Sequence, residues 1–161
     1  YVEKNASSYL ICRAGWMMGG GPKKDKKFIY KIIKQINNGN EEVFIVNDKF
    51  GTPTYTLDFA LNLKILLQKK LWGLYNLVCE GVTDRLEVAK EIIKILNMED
   101  KVRINEVDSK FFSKEYFAIR PKSERLSNTK LNLRKLNQMR NWKVCLKEYI
   151  SNYFSNSDNL K

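Results

Sequence analysis

Hydrophobic positions along the chain follow two alternating patterns, short continuous apolar runs and longer stretches with helical spacing. Three apolar runs predict strands, at 9–12, 43–46 and 74–79. Three stretches with apolar residues every three or four positions predict helices, at 28–36, 57–67 and 88–96. Continuous apolar runs are typical of a parallel sheet that is covered on both faces. Strands that alternate with helices in this way predict an α/β fold.

Capping and alternation signals refine several of these elements. Thr56 is predicted to cap the second helix, with Asp58 in the first turn near the positive end of the helix dipole. Asp84 begins a capping box ahead of the third helix. Alternating residues at 102–107 predict a half-exposed strand, and a last amphipathic helix is predicted at 142–154.

The chain divides into one predicted domain, residues 1–154, and a flexible tail, residues 155–161. Its length of 161 residues suits a single domain, and 43% hydrophobic residues are enough for a buried core. Between 108 and 129 the chain is aromatic, basic and irregular, and segments of this kind often line a site.

No histidine occurs in the chain. A Ser/His/Asp triad, a Cys/His protease pair and a His-ligated zinc site therefore cannot be built from this chain alone. Three widely spaced cysteines without a C-x-x-C motif indicate a reducing compartment, and no metal site is predicted. No apolar stretch approaches the roughly 20 residues needed to span a bilayer, so we expect a cytoplasmic protein without a membrane partner.

The 29 Lys and Arg residues against 18 Asp and Glu residues give a formal charge of +11. Such a charge is compatible with nucleic-acid binding, but the basic residues are dispersed, mostly between the apolar positions of helices. The sequence has no RNA-recognition signature, zinc finger or sustained basic helix. We therefore expect no nucleic-acid partner; the opposite hypothesis predicts an affinity that falls steeply with salt.

Five short motifs occur along the chain, and their order matters as much as their residues. They are Arg13-Ala14-Gly15-Trp16 after the first strand, Phe28 at a helix start, residues 48–54 after the second strand, Gly73-Leu74-Tyr75-Asn76, and residues 120–126. Together with Trp142, these motifs resemble the C-terminal part of the dTDP-4-dehydrorhamnose reductase family of extended short-chain dehydrogenases, from about Tyr9 to Ile150. The resemblance implies an α/β fold made of the last sheet strands of a Rossmann-like NAD(P)-dependent sugar-nucleotide reductase and a small substrate-binding lobe.

The resemblance implies that the chain is the substrate-binding portion of an NAD(P)H-dependent reductase of deoxysugar or polysaccharide biosynthesis, acting on a nucleoside-diphosphate 4-keto-6-deoxysugar. In that family a glycine-rich dinucleotide loop and a catalytic Tyr-x-x-x-Lys pair lie upstream of the Arg-x-x-Trp segment, and neither precedes Tyr9 here. We therefore expect NADPH or NADH to bind in the complete protein, no cofactor to bind to this fragment, and the fragment alone to be inactive. The expected partners are the nucleotide-sugar substrate, the missing Rossmann half and, in a homodimer, a second copy.

Two segments imitate the missing motifs. Tyr30 and Lys34 have Tyr-x-x-x-Lys spacing, but they lie downstream of Trp16 and flank the apolar face of an ordinary helix. The glycines at 19–21 have the wrong spacing and position for a dinucleotide loop. No catalytic residue is therefore predicted.

Four residues are the predicted substrate contacts: Trp16, Thr54, Arg120 and Ser123. Trp16 follows a strand at the carboxyl edge of the sheet, where its indole can stack on a sugar; packing in the core against the next two methionines is the alternative. Thr54 either reaches the sugar nucleotide, with nearby backbone amides, or belongs to a plain turn and helix entry. Arg120, held extended by Pro121, is predicted to bind an anion such as phosphate, with Ser123 as a weaker companion; a surface salt bridge is the alternative.

The resemblance leaves two questions open, the exact sugar and whether the whole protein is an enzyme. Lys27 stands where relatives usually carry asparagine, and Arg85 stands where many carry an aromatic residue, so the sequence departs from the family pattern at these two positions. The same fold also serves as the non-catalytic regulatory beta subunit of methionine adenosyltransferase. An intact glycine loop and Tyr-x-x-x-Lys pair upstream would favour the enzyme over that alternative.

Overall fold

The computed structural model of the protein describes residues 1–114 and 121–154. The helices are α1 (Val2–Asn5), α2 (Phe28–Asn37), α3 (Thr56–Gln68), α4 (Arg85–Ile95), α5 (Thr129–Leu133) and α6 (Trp142–Phe154). The strands are β1 (Leu10–Arg13), β2 (Trp16–Met18), β3 (Glu42–Val46), β4 (Phe50–Gly51), β5 (Pro53–Tyr55), β6 (Gly73–Asn76), β7 (Thr83–Asp84), β8 (Arg103–Val107) and β9 (Ser123–Glu124). A 3-10 helix follows β8 at Ser109–Phe112. The predicted tail lies outside the described residues, and none of the helices within them is long and apolar enough to cross a membrane.

Parallel strand pairs form three of the four sheets of the described residues. β1 pairs with β6, β2 with β5 and β3 with β8, all in parallel. In the fourth sheet β4 lies between β7, which is antiparallel to it, and β9, which is parallel. Parallel strands need long crossover connections, which helices usually provide, and the α/β fold predicted from the sequence is confirmed.

The long elements agree with the hydrophobic pattern. α2 buries Ile32, Ile33 and Ile36 on one face, as its spacing predicts. α4 is capped as predicted, because Asp84 Oδ1 accepts the backbone N–H of Glu87 at 2.7 Å. The predicted strand at 102–107 is β8, and the last predicted helix is α6.

The predicted cap of α3 is wrong. Thr56 is the first residue inside the helix, and the N-cap position belongs to Tyr55, which makes no side-chain capping hydrogen bond. Tyr55 is still paired in β5, opposite Met18, so the strand runs directly into the helix without a capping turn. Asp58 does occupy the first turn, but an ion pair engages its carboxylate.

Two hydrophobic clusters form the core of the described residues. The larger cluster joins α2, α4 and α6 to β3, and its most buried members include Ile33, Val43, Ala89, Cys145 and Tyr149. The smaller cluster joins α3, α5 and β6 through Leu66, Tyr75, Leu77, Leu131 and Met139. The apolar faces predicted for α2 and α4 are therefore the faces that pack.

A buried carboxylate ties α3 to α6. Asp58 is 2% exposed and accepts hydrogen bonds from Arg140 Nε at 3.0 Å and Nη2 at 2.7 Å. Arg140 also pairs with Glu148, and Cys145 Sγ donates to Asp58 at 3.3 Å. Burial acts to raise the pKa of Asp58, but the hydrogen bonds from Arg140 outweigh it and hold that pKa below its usual value. This network fixes the start of α3 against α6.

Arg140→Met leaves the Asp58 carboxylate buried without its charged partner. We expect the free energy of unfolding to fall by about 3 kcal/mol, the lower end for a broken buried ion pair, because the Arg140 side chain is itself 40% exposed. The matched control is Lys90→Met, which breaks an exposed pair with Glu106 and costs less than about 1 kcal/mol. Urea denaturation followed by circular dichroism measures both, and equal losses would contradict the role given to Asp58.

Candidate functional site

The candidate site lies at the carboxyl end of the β1–β6 pair. The two strands run in parallel, with Arg13 opposite Asn76 at their ends, and Trp16 opens β2 after the turn at Ala14 and Gly15. In α/β proteins ligands bind in the crevice outside this end of the sheet. Trp16 therefore lies at the sheet edge that its place in the sequence predicts.

Gly15 permits this turn because it lies directly against the backbone of Thr52. A Cβ at Gly15 would lie 1.9 Å from the Thr52 carbonyl oxygen, which leaves no room for a side chain. The same carbonyl accepts the N–H of Trp16 at 2.9 Å, and Thr54 Oγ1 accepts the N–H of Gly15 at 2.9 Å. Thr54 is fully buried, and its hydroxyl donates to the Leu77 carbonyl at 3.5 Å. The hydroxyl of Thr54 thus holds the turn that presents Trp16.

Three residues surround the indole of Trp16. Its Nε1 donates to Glu124 Oε2 at 2.9 Å, and both side chains are half-buried. The guanidinium of Arg85 lies over the ring, 3.8 Å from its centroid, and lies 4.6 Å from the ring centroid of Phe28. Gly51 also lies against the indole, because a Cβ there would come within 2.4 Å of two ring atoms. A sugar could stack on the ring face beneath Arg85 only if Arg85 moved.

The sheet β7–β4–β9 supplies these neighbours. Its register places Gly51 opposite both Thr83 and Glu124. Arg85 follows β7 directly as the first residue of α4, and its backbone N–H donates to the Lys49 carbonyl at 3.3 Å. Strands of two residues leave no periodic pattern, so hydropathy gives no sign of this sheet.

Three of the four predicted substrate contacts lie among the described residues. Trp16 is at the site, and Ser123 belongs to β9, where it is exposed and its Oγ accepts from Arg125 Nε at 3.0 Å. Thr54 is buried behind the turn that precedes Trp16. Arg120 lies outside the described residues. Contact between any of these four residues and a substrate stays a prediction.

Sequence reasoning missed two neighbours of Trp16 and undervalued a third. Glu124 has no local signal, because its hydrogen-bond partner lies 108 residues away along the chain. Gly51 belongs to the motif at residues 48–54, but the sequence predicts no contact between it and Trp16, although a glycine can mark a close approach of another group. Arg85 stood out in the sequence as a departure from the family pattern, and the structure places that departure over the predicted sugar-binding indole.

The glycine-rich segment 19–21 does not form a dinucleotide cradle. Asp25 is 5% exposed and accepts from the N–H of Gly19 at 3.5 Å, the N–H of Lys27 at 3.2 Å and the Tyr149 hydroxyl at 3.0 Å. Burial, together with the Asp25 carboxylate, raises the pKa of Tyr149, which keeps this hydroxyl a donor. The segment is thus organised around a carboxylate of the chain itself and does not fit the pyrophosphate of NAD(P)H. The described stretches also contain no group of three or more His, Cys, Asp or Glu side chains placed to hold a metal ion.

Comparisons with known proteins agree with one another. The family model of the RmlD substrate binding domain matches residues 1–155. The dTDP-4-dehydrorhamnose reductase of Streptomyces griseus is 28% identical over 144 residues, which cover 86% of this chain and 45% of that protein. The crystal structure of the dTDP-4-dehydrorhamnose reductase of Yersinia enterocolitica matches with a TM-score of 0.81 at 32% identity, covering 90% of this chain and 50% of that one. The Bacillus anthracis dTDP-4-dehydrorhamnose reductase, in complex with NADP, matches with a TM-score of 0.80 at 28% identity, covering 94% and 50%.

The chain therefore spans about half the length of the relatives that it matches. The match extends over most of the described elements, from α1 to α6, and includes the segment that carries Trp16.

Gly51→Ala adds a Cβ where the Trp16 ring already lies, 2.4 Å from two ring atoms. We expect the free energy of unfolding to fall by about 1–3 kcal/mol, because the ring must leave its place. Tryptophan emission should shift to longer wavelength as the indole becomes more exposed to water. Thermal unfolding and fluorescence spectra measure the two effects.

Gly39→Ala is the matched control for that substitution. Its added Cβ meets nothing within 4 Å, but its backbone φ is +83°, so strain costs about 1 kcal/mol. Tryptophan emission should not change in this variant. Unchanged emission in Gly51→Ala as well would contradict the contact between Gly51 and the indole.

Proposed function

Because the chain belongs to the RmlD substrate binding domain family, we propose that it is the substrate-binding part of an NAD(P)H-dependent reductase acting on a nucleoside-diphosphate 4-keto-6-deoxysugar. The family match confirms the predicted resemblance to dTDP-4-dehydrorhamnose reductases. The observation that carries the proposal is the position of Trp16 at the carboxyl end of two parallel strands. A non-catalytic subunit of the same fold is not favoured, because the similar proteins named above are reductases.

Each predicted contact has its own part in this proposal. Trp16 is half-buried and contacts the sugar through the part of its ring that its neighbours leave exposed, while Thr54 holds the preceding turn. Arg120 donates to the oxygens of the diphosphate, since a guanidinium offers two parallel N–H donors to such a group. Ser123 supplies an exposed hydroxyl from β9, a strand of the sheet whose residues Gly51 and Glu124 contact Trp16.

The charge of the chain supports a nucleotide ligand. The formal charge is +11. Beside the site, the guanidinium of Arg125 lies 5.5 Å from the Phe50 ring centroid. Cationic side chains near a binding site attract a diphosphate and stabilise its charge. We therefore expect binding to weaken as salt rises.

Hydride transfer is assigned in this proposal to the half of the relatives that this chain does not span. The Bacillus anthracis relative has been solved in complex with NADP, and this chain covers 50% of it. The glycine-rich loop of this chain is organised around Asp25, so we propose that NAD(P)H and the catalytic residues belong to a segment equivalent to the other half. The role of this chain in the proposal is to bind and orient the nucleotide sugar for deoxysugar or polysaccharide biosynthesis.

Titration calorimetry of the chain with dTDP-rhamnose, UDP-glucose and NADPH tests the proposed function. We expect saturable binding of dTDP-rhamnose that weakens at raised salt, and no binding of NADPH. Trp16→Ala should weaken the dTDP-rhamnose affinity about tenfold, because it removes an aromatic contact worth on the order of 1 kcal/mol. UDP-glucose shows how far the site discriminates the base and the sugar.

Trp72→Ala is the matched control. Trp72 is 40% exposed and precedes the amino end of β6, which is the opposite end from Asn76. Its loss should leave the affinity unchanged. Equal losses in the two variants, or no binding of dTDP-rhamnose by the unsubstituted chain, would contradict the proposed function.

A further inference from the structure

Three separate segments meet around the indole of Trp16. Gly51 comes from β4, Glu124 from β9, and Arg85 from the first position of α4. Each meets a different part of the ring system, so the arrangement restricts both how far the indole tilts and how far it rotates. The indole is nevertheless half-buried, so the part of the ring that these three segments leave exposed is open to a ligand.

Gly51 lies over one face of the indole. A Cβ on Gly51 would be 2.4 Å from each of the bonded atoms Cε2 and Cζ2 and 2.9 Å from Cη2. A point beside the ring edge would be much farther from Cη2, so these distances place the glycine above the ring plane. A guanidinium 3.8 Å from the ring centroid would overlap Gly51 on that face, so Arg85 covers the opposite face. The indole is thus held between a backbone and a cation.

Glu124 fixes the edge of the same ring. Its Oε2 accepts the indole N–H at 2.9 Å, and the N–H is the one hydrogen-bonding group of an indole. The pairing of Gly51 with Glu124 between β4 and β9 keeps the carboxylate at this edge. A carboxylate on the N–H also raises the electron density of the ring, which strengthens the attraction between the ring face and the Arg85 cation.

Arg85 connects the indole to the start of α2. Its guanidinium lies 3.8 Å from the ring centroid of Trp16 and 4.6 Å from that of Phe28. Its backbone is fixed at the helix start, because its N–H donates to the Lys49 carbonyl and the preceding Asp84 caps α4. A planar guanidinium stacks on aromatic rings in a way that a lysine ammonium does not reproduce.

On the basis of the proposed function, we propose that Arg85 and Glu124 are positioning residues that fix the orientation in which Trp16 meets the nucleotide sugar. Both act through the indole. Substituting either residue therefore lowers ligand affinity only through displacement of the indole. Once the indole contact has been removed, the same substitution has no further effect on affinity. A residue that bound the ligand directly, or that supported the fold in general, would have an effect that is independent of Trp16.

A double-mutant cycle between Glu124 and Trp16 tests the first half of this inference, with the affinity for dTDP-rhamnose measured by titration calorimetry. Glu124→Leu should weaken binding about tenfold. Glu124→Gln keeps an acceptor for the indole N–H and should weaken it much less. In the background of Trp16→Phe, which keeps a ring but lacks the N–H, Glu124→Leu should have no further effect.

A second cycle tests Arg85. Arg85→Leu should weaken binding by about three- to tenfold, and Arg85→Lys should restore only part of the loss. In the Trp16→Ala background, Arg85→Leu should have no further effect. The matched control is Lys94→Leu, which removes an exposed cation near the other end of α4 and leaves the affinity unchanged.

Additive losses in either cycle overturn the inference, because they mean that Glu124 or Arg85 acts independently of the indole. Additive losses together with Trp16-dependent binding overturn the inference alone and leave the proposed function standing. No binding by the unsubstituted chain overturns both. Melting temperatures identify any variant that does not fold, and Glu124→Ala or Arg85→Ala, which also removes the contact with the indole, then replaces the leucine variant in its cycle, with the same criterion of additivity.

Discussion

The candidate site depends on one close backbone contact, between Gly15 and Thr52. A Cβ at Gly15 would be 1.9 Å from the Thr52 carbonyl oxygen, and this same carbonyl accepts the N–H of Trp16. The contact sets β2 against β5, with Trp16 opposite Pro53. Because β5 runs directly into α3, the same few atoms fix the tryptophan and the start of the helix. Glycine is needed at position 15 for space, since the backbone of Thr52 takes the place of its side chain.

Buried threonine hydroxyls extend this contact to the rest of the site. Thr54 donates to the Leu77 carbonyl beyond β6, and Thr52 Oγ1 accepts the N–H of Leu126 at 3.3 Å, just after β9. The segment that carries Glu124 is therefore tied to the turn that carries Trp16. In the first turn of α3, Asp58 pairs with Arg140, which also pairs with Glu148 and so anchors the helix to α6. The indole is thus oriented by a continuous set of hydrogen bonds, and Arg85 completes the enclosure.

The sequence predicts the long elements because each buries a regular apolar stripe, as Ile32 and Ile36 do on α2. It predicts the family and the edge at which Trp16 lies, because both are carried by local motifs. It does not predict β4, β7 or β9, because strands of two residues are defined by distant partners rather than by periodicity. Thr56 was wrongly predicted as a cap because capping patterns presume a loop before the helix, and here a strand precedes it. Glu124 and its indole partner meet only through tertiary pairing.

The nuclear magnetic resonance signals of the three tryptophan indole N–H groups test the central claim most directly. In a nitrogen–proton correlation spectrum each indole N–H gives its own resonance, and Trp16→Phe identifies the one that belongs to Trp16. On addition of dTDP-rhamnose, we predict that the Trp16 resonance shifts while those of Trp72 and Trp142 stay in place. Ligand binding with an unmoved Trp16 resonance, or a shift confined to Trp72 or Trp142, would contradict the claim that Trp16 is the residue that meets the ligand.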